Sequence, residues 1–160
     1  MALLSLPAGA QYLGPLVGHW AGEGQGLWAA DSPFRYREEV TFTVTGKPFL
    51  HYVQRSWGIE NNQPLHTETG YLRATGDGGV EMLIAQPTGF AEIHTGTLSE
   101  SVLSLALTSL IRTPTALSIS ELQRQFFFEA DTLTYLVRIA MNGEPLADHL
   151  RGKLRRESRD

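Results

Sequence analysis

Apolar residues recur at every second position through most of this chain, and that period limits the fold more than any other feature. From Phe34 to Val44 the even positions Phe34, Tyr36, Val40, Phe42 and Val44 are apolar, while Arg35, Arg37, Glu39, Thr41 and Thr43 between them are polar. Side chains alternate faces in this way only along an extended strand, with one face inward and one outward. The same alternation runs through Leu103, Leu105 and Leu107, and through Leu133, Tyr135, Val137, Ile139 and Met141. Between such stretches lie turn-forming clusters, among them Thr45-Gly46-Lys47-Pro48, Glu60-Asn61-Asn62, Gly76-Asp77-Gly78-Gly79, Pro87-Thr88-Gly89 and Glu129-Ala130-Asp131.

Strands are expected near 18–27, 34–45, 48–59, 64–75, 79–86, 89–98, 102–109, 115–128 and 132–141, and helix only near Ala10–Val17 and Pro145–Arg156. Tight turns between successive strands imply an antiparallel meander without βαβ crossovers. A meander of roughly eight to ten strands protects its edges most simply by closing into a barrel. A barrel of that size can enclose one small ligand. With 160 residues and no linker or low-complexity tract, residues 1–160 are expected to form a single domain.

Composition removes several classes of function. The chain has no cysteine, which excludes disulfides, thiolate metal sites and cysteine nucleophiles. Its formal net charge of −4 argues against general nucleic-acid binding. Arg151, Lys153, Arg155, Arg156 and Arg159 read as a solvated tail suited to a helix C-terminus. No apolar run approaches a membrane span, and Met1–Leu6 lacks the basic flank of a secretion signal, so a cytoplasmic location is expected. No serine or threonine sits in a nucleophile elbow, so hydrolase chemistry is not indicated.

One histidine stands where an apolar residue would be expected. After Pro145, the residues Leu146, His149, Leu150 and Leu154 fall at spacings that share one helix face, with Asp148, Arg151 and Arg155 opposite. The helix would cover the barrel and turn the His149 imidazole inward. A neutral imidazole there is either a hydrogen-bonded core residue or a metal or haem ligand.

The first strand begins Gly18-His19-Trp20-Ala21-Gly22-Glu23-Gly24, a Gly-x-Trp-x-Gly-x-Gly pattern. Its glycines permit close approach of a neighbouring strand and bending of a barrel wall, while Trp20 fills volume. In order along the chain follow Phe34-Arg35-Tyr36-x-Glu38-Glu39, Gly46-Lys47-Pro48, Pro64-Leu65-His66-x-Glu68-x-Gly70-Tyr71 and Pro145-Leu146-x-x-His149-Leu150. Together these resemble the nitrobindin family over nearly the whole chain. The resemblance implies an all-β, antiparallel up-and-down barrel of about ten strands with short terminal helices, similar to fatty-acid-binding proteins. It also implies one ferric haem b per chain, held by the histidine that matches His149.

The same resemblance places His66 and Leu65 at the haem pocket, with Ile139 lining it. Leu154, on the inward face of the expected helix, joins these cofactor-contacting residues. The implied activity is nitric oxide binding or isomerisation of peroxynitrite to nitrate. The expected partners are therefore small molecules, neither nucleic acid nor membrane, with a homodimer left open. The alternative from another class is a haem-free barrel carrying a fatty acid or other apolar ligand. One departure stands out: many relatives carry a haem-contacting threonine where this chain, reading Trp28-Ala29-Ala30, has Ala30. Losing one neutral hydrogen bond should weaken haem retention by ~1 kcal/mol.

Other polar residues suggest less. The pairs His66/Glu68 and Glu92/His94 each share a strand face and could supply zinc ligands, though a solvent-facing or mouth position is the plainer expectation. Glu38 falls on the apolar parity of its strand, as a buried carboxylate paired with an arginine would. Asp148 lies about 100° round the expected helix from His149, a poor position from which to orient its ring. His19 and His51 give no separate signal.

Overall fold

The computed structural model describes residues 4–27 and 32–158, so Ala30 and its neighbours Trp28 and Ala29 lie outside the described residues. Ten strands follow a short 3₁₀ helix, Gln11–Leu16. They are β1 (Gly18–Leu27), β2 (Pro33–Val44), β3 (Phe49–Gly58), β4 (Pro64–Gly76) and β5 (Gly79–Gln86). Then come β6 (Phe90–Ser99), β7 (Val102–Arg112), β8 (Ile119–Glu129), β9 (Thr132–Met141) and β10 (Ala147–Glu157). Every strand pairs antiparallel with its neighbours in sequence, and β1 pairs with β10 to close the barrel.

The C-terminal segment corrects the sequence reading. Pro145–Arg156 was expected as a helix, yet Ala147–Glu157 is the tenth strand. Asn142 and Gly143, with φ of 54° and 83°, turn the chain from β9, and Glu144 N–H closes the turn on the Met141 carbonyl. Two successive left-handed residues make a tight reversal of the chain, and Asn-Gly supplies them at the start of the connection 142–146 that leads into β10. The helical spacing of His149, Leu150 and Leu154 has a different origin. In β10, Asp148 pairs with Arg138 and Leu150 with Val137, so His149 is an extra residue in a β-bulge. Past the bulge Leu150, Gly152 and Leu154 alternate inward as in any strand, and the inserted residue makes the pattern resemble 3.6-residue periodicity.

The barrel has a packed end and a hollow end. Leu13 and Leu16 of the 3₁₀ helix, Trp20, Phe42, Leu50, Leu72, Leu103, Leu133 and Leu154 are all fully buried at the packed end. Trp20 donates its Nε1–H to the Leu16 carbonyl at 2.9 Å, fastening the helix over that end. Arg156 lies over the Trp20 ring, 4.1 Å from its centroid, and donates to the Pro15 carbonyl at 2.8 Å. One member of the expected solvated tail is thus a structural clamp. At the hollow end β7 and β8 part: their pairing runs only from Val102/Phe127 to Ala106/Gln123. No described helix is long and apolar enough to cross a membrane.

Candidate functional site

The hollow end holds a cavity of about 1250 Å³. That lies just above the roughly 300–1,000 Å³ of ordinary ligand sites. Phe34, Leu117, Ile119, Leu122, Met141 and Leu150 form much of its apolar upper wall. Ile139 lines it from β9, and Leu65, 48 % exposed, borders its mouth. Leu154 does not line it: a strand rises ~3.3 Å per residue, carrying Leu154 roughly 16 Å from His149 into the packed end, where a helix would have kept it within about 8 Å.

His149 and Leu150 both line the cavity although they are consecutive. A regular strand forbids that, because neighbours point to opposite faces; the bulge is what turns the imidazole inward. Burial lowers the pKa of His149, the Leu27 backbone acts the other way, and the charges of Arg124 and His66 add to the lowering. His66 also lines the cavity, partly buried, with Nε2 3.6 Å from a Glu68 oxygen. Burial disfavours its charged form, but Glu68 outweighs burial and the pKa rises.

Beneath the apolar wall lies a polar floor that the sequence reading did not assemble. Arg124 donates to both Glu68 oxygens at 2.8 and 3.2 Å and to Glu92 at 3.0 Å. Tyr52 donates to Glu68 at 2.6 Å, Gln86 bridges Glu68 and Glu92, and His94 sits 2.9 Å from Glu92. Burial opposes ionisation of Glu68, yet the Arg124 charge and the bonds from His66 and Tyr52 hold its carboxyl well below the usual range. The pairs His66/Glu68 and Glu92/His94 therefore do approach one another, but around a guanidinium. Among the described residues no group of three or more His, Asp or Glu side chains is arranged for a metal ion. Arg124 was legible in one respect: it occupies the inward parity of β8, between Leu122 and Phe126.

Glu38 is buried, as its parity implied, but it accepts hydrogen bonds from Tyr135 and Gln54, and no arginine among the described residues donates to it. Burial is the largest influence on its carboxyl, which is raised to about 7 despite those bonds. The glycine motif explains how Tyr135 reaches it. Tyr36, Gly24, Gly152 and Tyr135 form one row across β2, β1, β10 and β9. A Cβ on Gly24 would stand 2.5 Å from the Tyr36 hydroxyl, and one on Gly152 2.5 Å from the Tyr135 ring. The two glycines leave the space in which both phenols lie over the wall and meet, hydroxyl to hydroxyl, at 2.5 Å. Gly22 serves closeness of another kind, since its missing Cβ would strike the Lys153 backbone. Gly18, at φ 142°, adopts a backbone that L residues rarely hold.

Comparison with known proteins bears on this arrangement. The model of the THAP4-like, heme-binding beta-barrel domain matches residues 10–156. Peroxynitrite isomerase 2 of Mycobacterium marinum is 43 % identical over 150 residues, covering 91 % of this chain and 93 % of its own length. Peroxynitrite isomerase 1 of Rhodococcus jostii is 41 % identical over 152 residues, covering 95 % and 86 %. The crystal structure of Rv2717c from M. tuberculosis superposes with a TM-score of 0.89 at 40 % identity, over 96 % of this chain and all of that one.

Proposed function

The chain belongs to the family of THAP4-like, heme-binding beta-barrel domains, and on that footing we propose that it holds one ferric haem b through His149 and isomerises peroxynitrite to nitrate, with nitric oxide as a second ligand. The observation that carries this reading is the bulge in β10, which spends one residue of regular pairing to aim an imidazole into an apolar cavity. Bulges of this kind recur where a strand must re-aim a functional side chain. When bound, ferric haem supplies a Lewis-acidic iron with a position open to nitric oxide or to a peroxynitrite oxygen.

The chain's own residues supply the rest. Burial keeps His149 neutral, so its lone pair is available at neutral pH. Leu65 and Ile139 add apolar surface that excludes water from the ligand. His66, its protonated form favoured by Glu68, offers an N–H to an anionic ligand. A fatty acid suits the cavity less well, because Arg124 is already shared between Glu68 and Glu92, and Glu38 adds negative charge above neutral pH. A fatty-acid carboxylate reaching that floor would find the Arg124 guanidinium already paired with two carboxylates.

Stopped-flow mixing tests the activity. Peroxynitrite should decay to nitrate faster with haem-loaded protein than with haem-loaded His149→Ala, and free imidazole should restore part of the difference. Equal rates for both proteins would leave haem binding standing and remove the isomerase reading.

A further inference from the structure

Tyr135 borders two spaces. From inside it lines the cavity, and from outside it borders a shallow groove over β1 and β10. At that point the wall is thin, because the facing residues Gly24 and Gly152 carry no side chains. The Tyr135 hydroxyl is hydrogen-bonded at once to the Glu38 carboxylate and to the Tyr36 hydroxyl. The carboxylate is itself held by Gln54 at 2.8 Å. A phenol bonded to a fixed base is the arrangement in which an electron and a proton leave together, to different acceptors. Burial raises the phenol's pKa, so it carries its proton at neutral pH, while Glu38 is poised to take one.

We propose that Tyr135 is an electron relay through the barrel wall: it reduces a one-electron oxidant formed in the cavity and is restored from the outer groove by a small anionic reductant. The inference rests on the peroxynitrite reading, since the oxidant is nitrogen dioxide: homolysis of the O–O bond of peroxynitrous acid gives it together with a hydroxyl radical, which takes a hydrogen atom from a second ascorbate in solution and becomes water. Nitrogen dioxide gains one electron from Tyr135 and becomes nitrite. The phenolic O–H bond breaks, its proton passes to Glu38, and a neutral phenoxyl radical remains, shared in hydrogen bonding with Tyr36. An enediolate such as ascorbate then gives one electron from the groove, and Glu38 returns the proton to the phenoxyl oxygen. Ascorbate leaves as its radical anion, losing its own proton to solvent. The groove suits an anion: Arg35, Arg151 and Lys153 stand on its rim against Glu23. Arg35 is taken up by Glu23 and Arg151 by Asp148, while Lys153 has no acid within ion-pair distance among the described residues. The relay would remove the radical that escapes isomerisation before it attacks the haem pocket.

Pulse radiolysis tests this on the haem-loaded protein, with nitrogen dioxide generated from nitrite in solution and the phenoxyl absorbance followed in time. A phenoxyl transient is expected in wild type and in Tyr71→Phe, which removes an exposed tyrosine, and is lost in Tyr135→Phe. Glu38→Gln should slow its formation by ~10²-fold, the lower end of what a positioned base contributes. Ascorbate should shorten the transient in wild type and do so less effectively in Lys153→Glu, with the initial yield unchanged. An undiminished transient in Tyr135→Phe, or one abolished in Tyr71→Phe, would overturn the relay. Ascorbate acting equally on wild type and Lys153→Glu would overturn the groove as the port of entry. If the transient behaves as expected but peroxynitrite decay is unaccelerated by the holoprotein, the relay stands and the isomerase reading fails.

Discussion

Replacing Glu38 by glutamine should make the protein more stable above neutral pH. The carboxyl is buried and its pKa is raised from 4.5 to about 7, burial outweighing the bonds from Tyr135 and Gln54. Between those two values the folded chain binds a proton that the unfolded chain has released, so stability falls as pH rises through the window. A shift of this size is worth about 3 kcal/mol once both states are ionised, and roughly 2–3 kcal/mol of it develops between pH 5 and pH 8. Glutamine keeps the shape and still accepts from the Tyr135 hydroxyl. Its amide can donate to Gln54 Oε1 once the Gln54 carboxamide turns over, and that oxygen has no hydrogen-bond partner among the described residues. Urea denaturation of wild type and Glu38→Gln at pH 5 and pH 8, at matched haem occupancy, gives the comparison. The variant should gain on wild type as pH rises, and the gain should come mainly from a steeper loss in wild type. A stability difference that is the same at both pH values would refute burial of an ionisable carboxyl as the cause.

Other perturbations separate parts of the same picture. Deleting Asp148 removes the bulge while retaining the histidine; His149 then takes an outward position opposite Arg138, and the Soret band should be lost with the barrel's circular dichroism intact. Arg124→Met leaves Glu68 and Glu92 without their cation and should cost about 3–5 kcal/mol at neutral pH by urea denaturation, less in acid as the carboxylates protonate. Gly152→Ala meets the movable ring of Tyr135 and should cost ~1–3 kcal/mol in thermal or urea melts, whereas Gly22→Ala meets the β10 backbone and should cost more.

The meander, its turns and its closure could be read from alternation because a period of two is a local property of each strand. The boundaries moved where alternation did: β7 runs on to Arg112, and β8 starts only at Ile119. The last strand was misread because an inserted residue imitates helical spacing, and because Pro145 suits a first helical turn as well as the loop before β10. The Asn142-Gly143 pair carried the correct signal for a hairpin and was outweighed by that pattern. His149 was expected to face inward because of a helical spacing; it does line the cavity, but a bulge in a strand turns it there. The polar floor was not legible as a unit. Glu38, Gln54, Glu68, Glu92 and Arg124 each sit on an inward parity, but which of them meet depends on register and curvature across strands far apart in sequence. Leu154 failed with the helix that was to carry it.

If His149 on its bulge makes this barrel a haem protein, a haem titration followed in the Soret region will show it. Wild type should take up one ferric haem per chain and give a histidine-ligated spectrum. His149→Ala should bind far more weakly and lose that spectrum, with free imidazole restoring it. Equal affinity and an identical spectrum in the two proteins, or no uptake by wild type, would rule out His149 as the haem ligand.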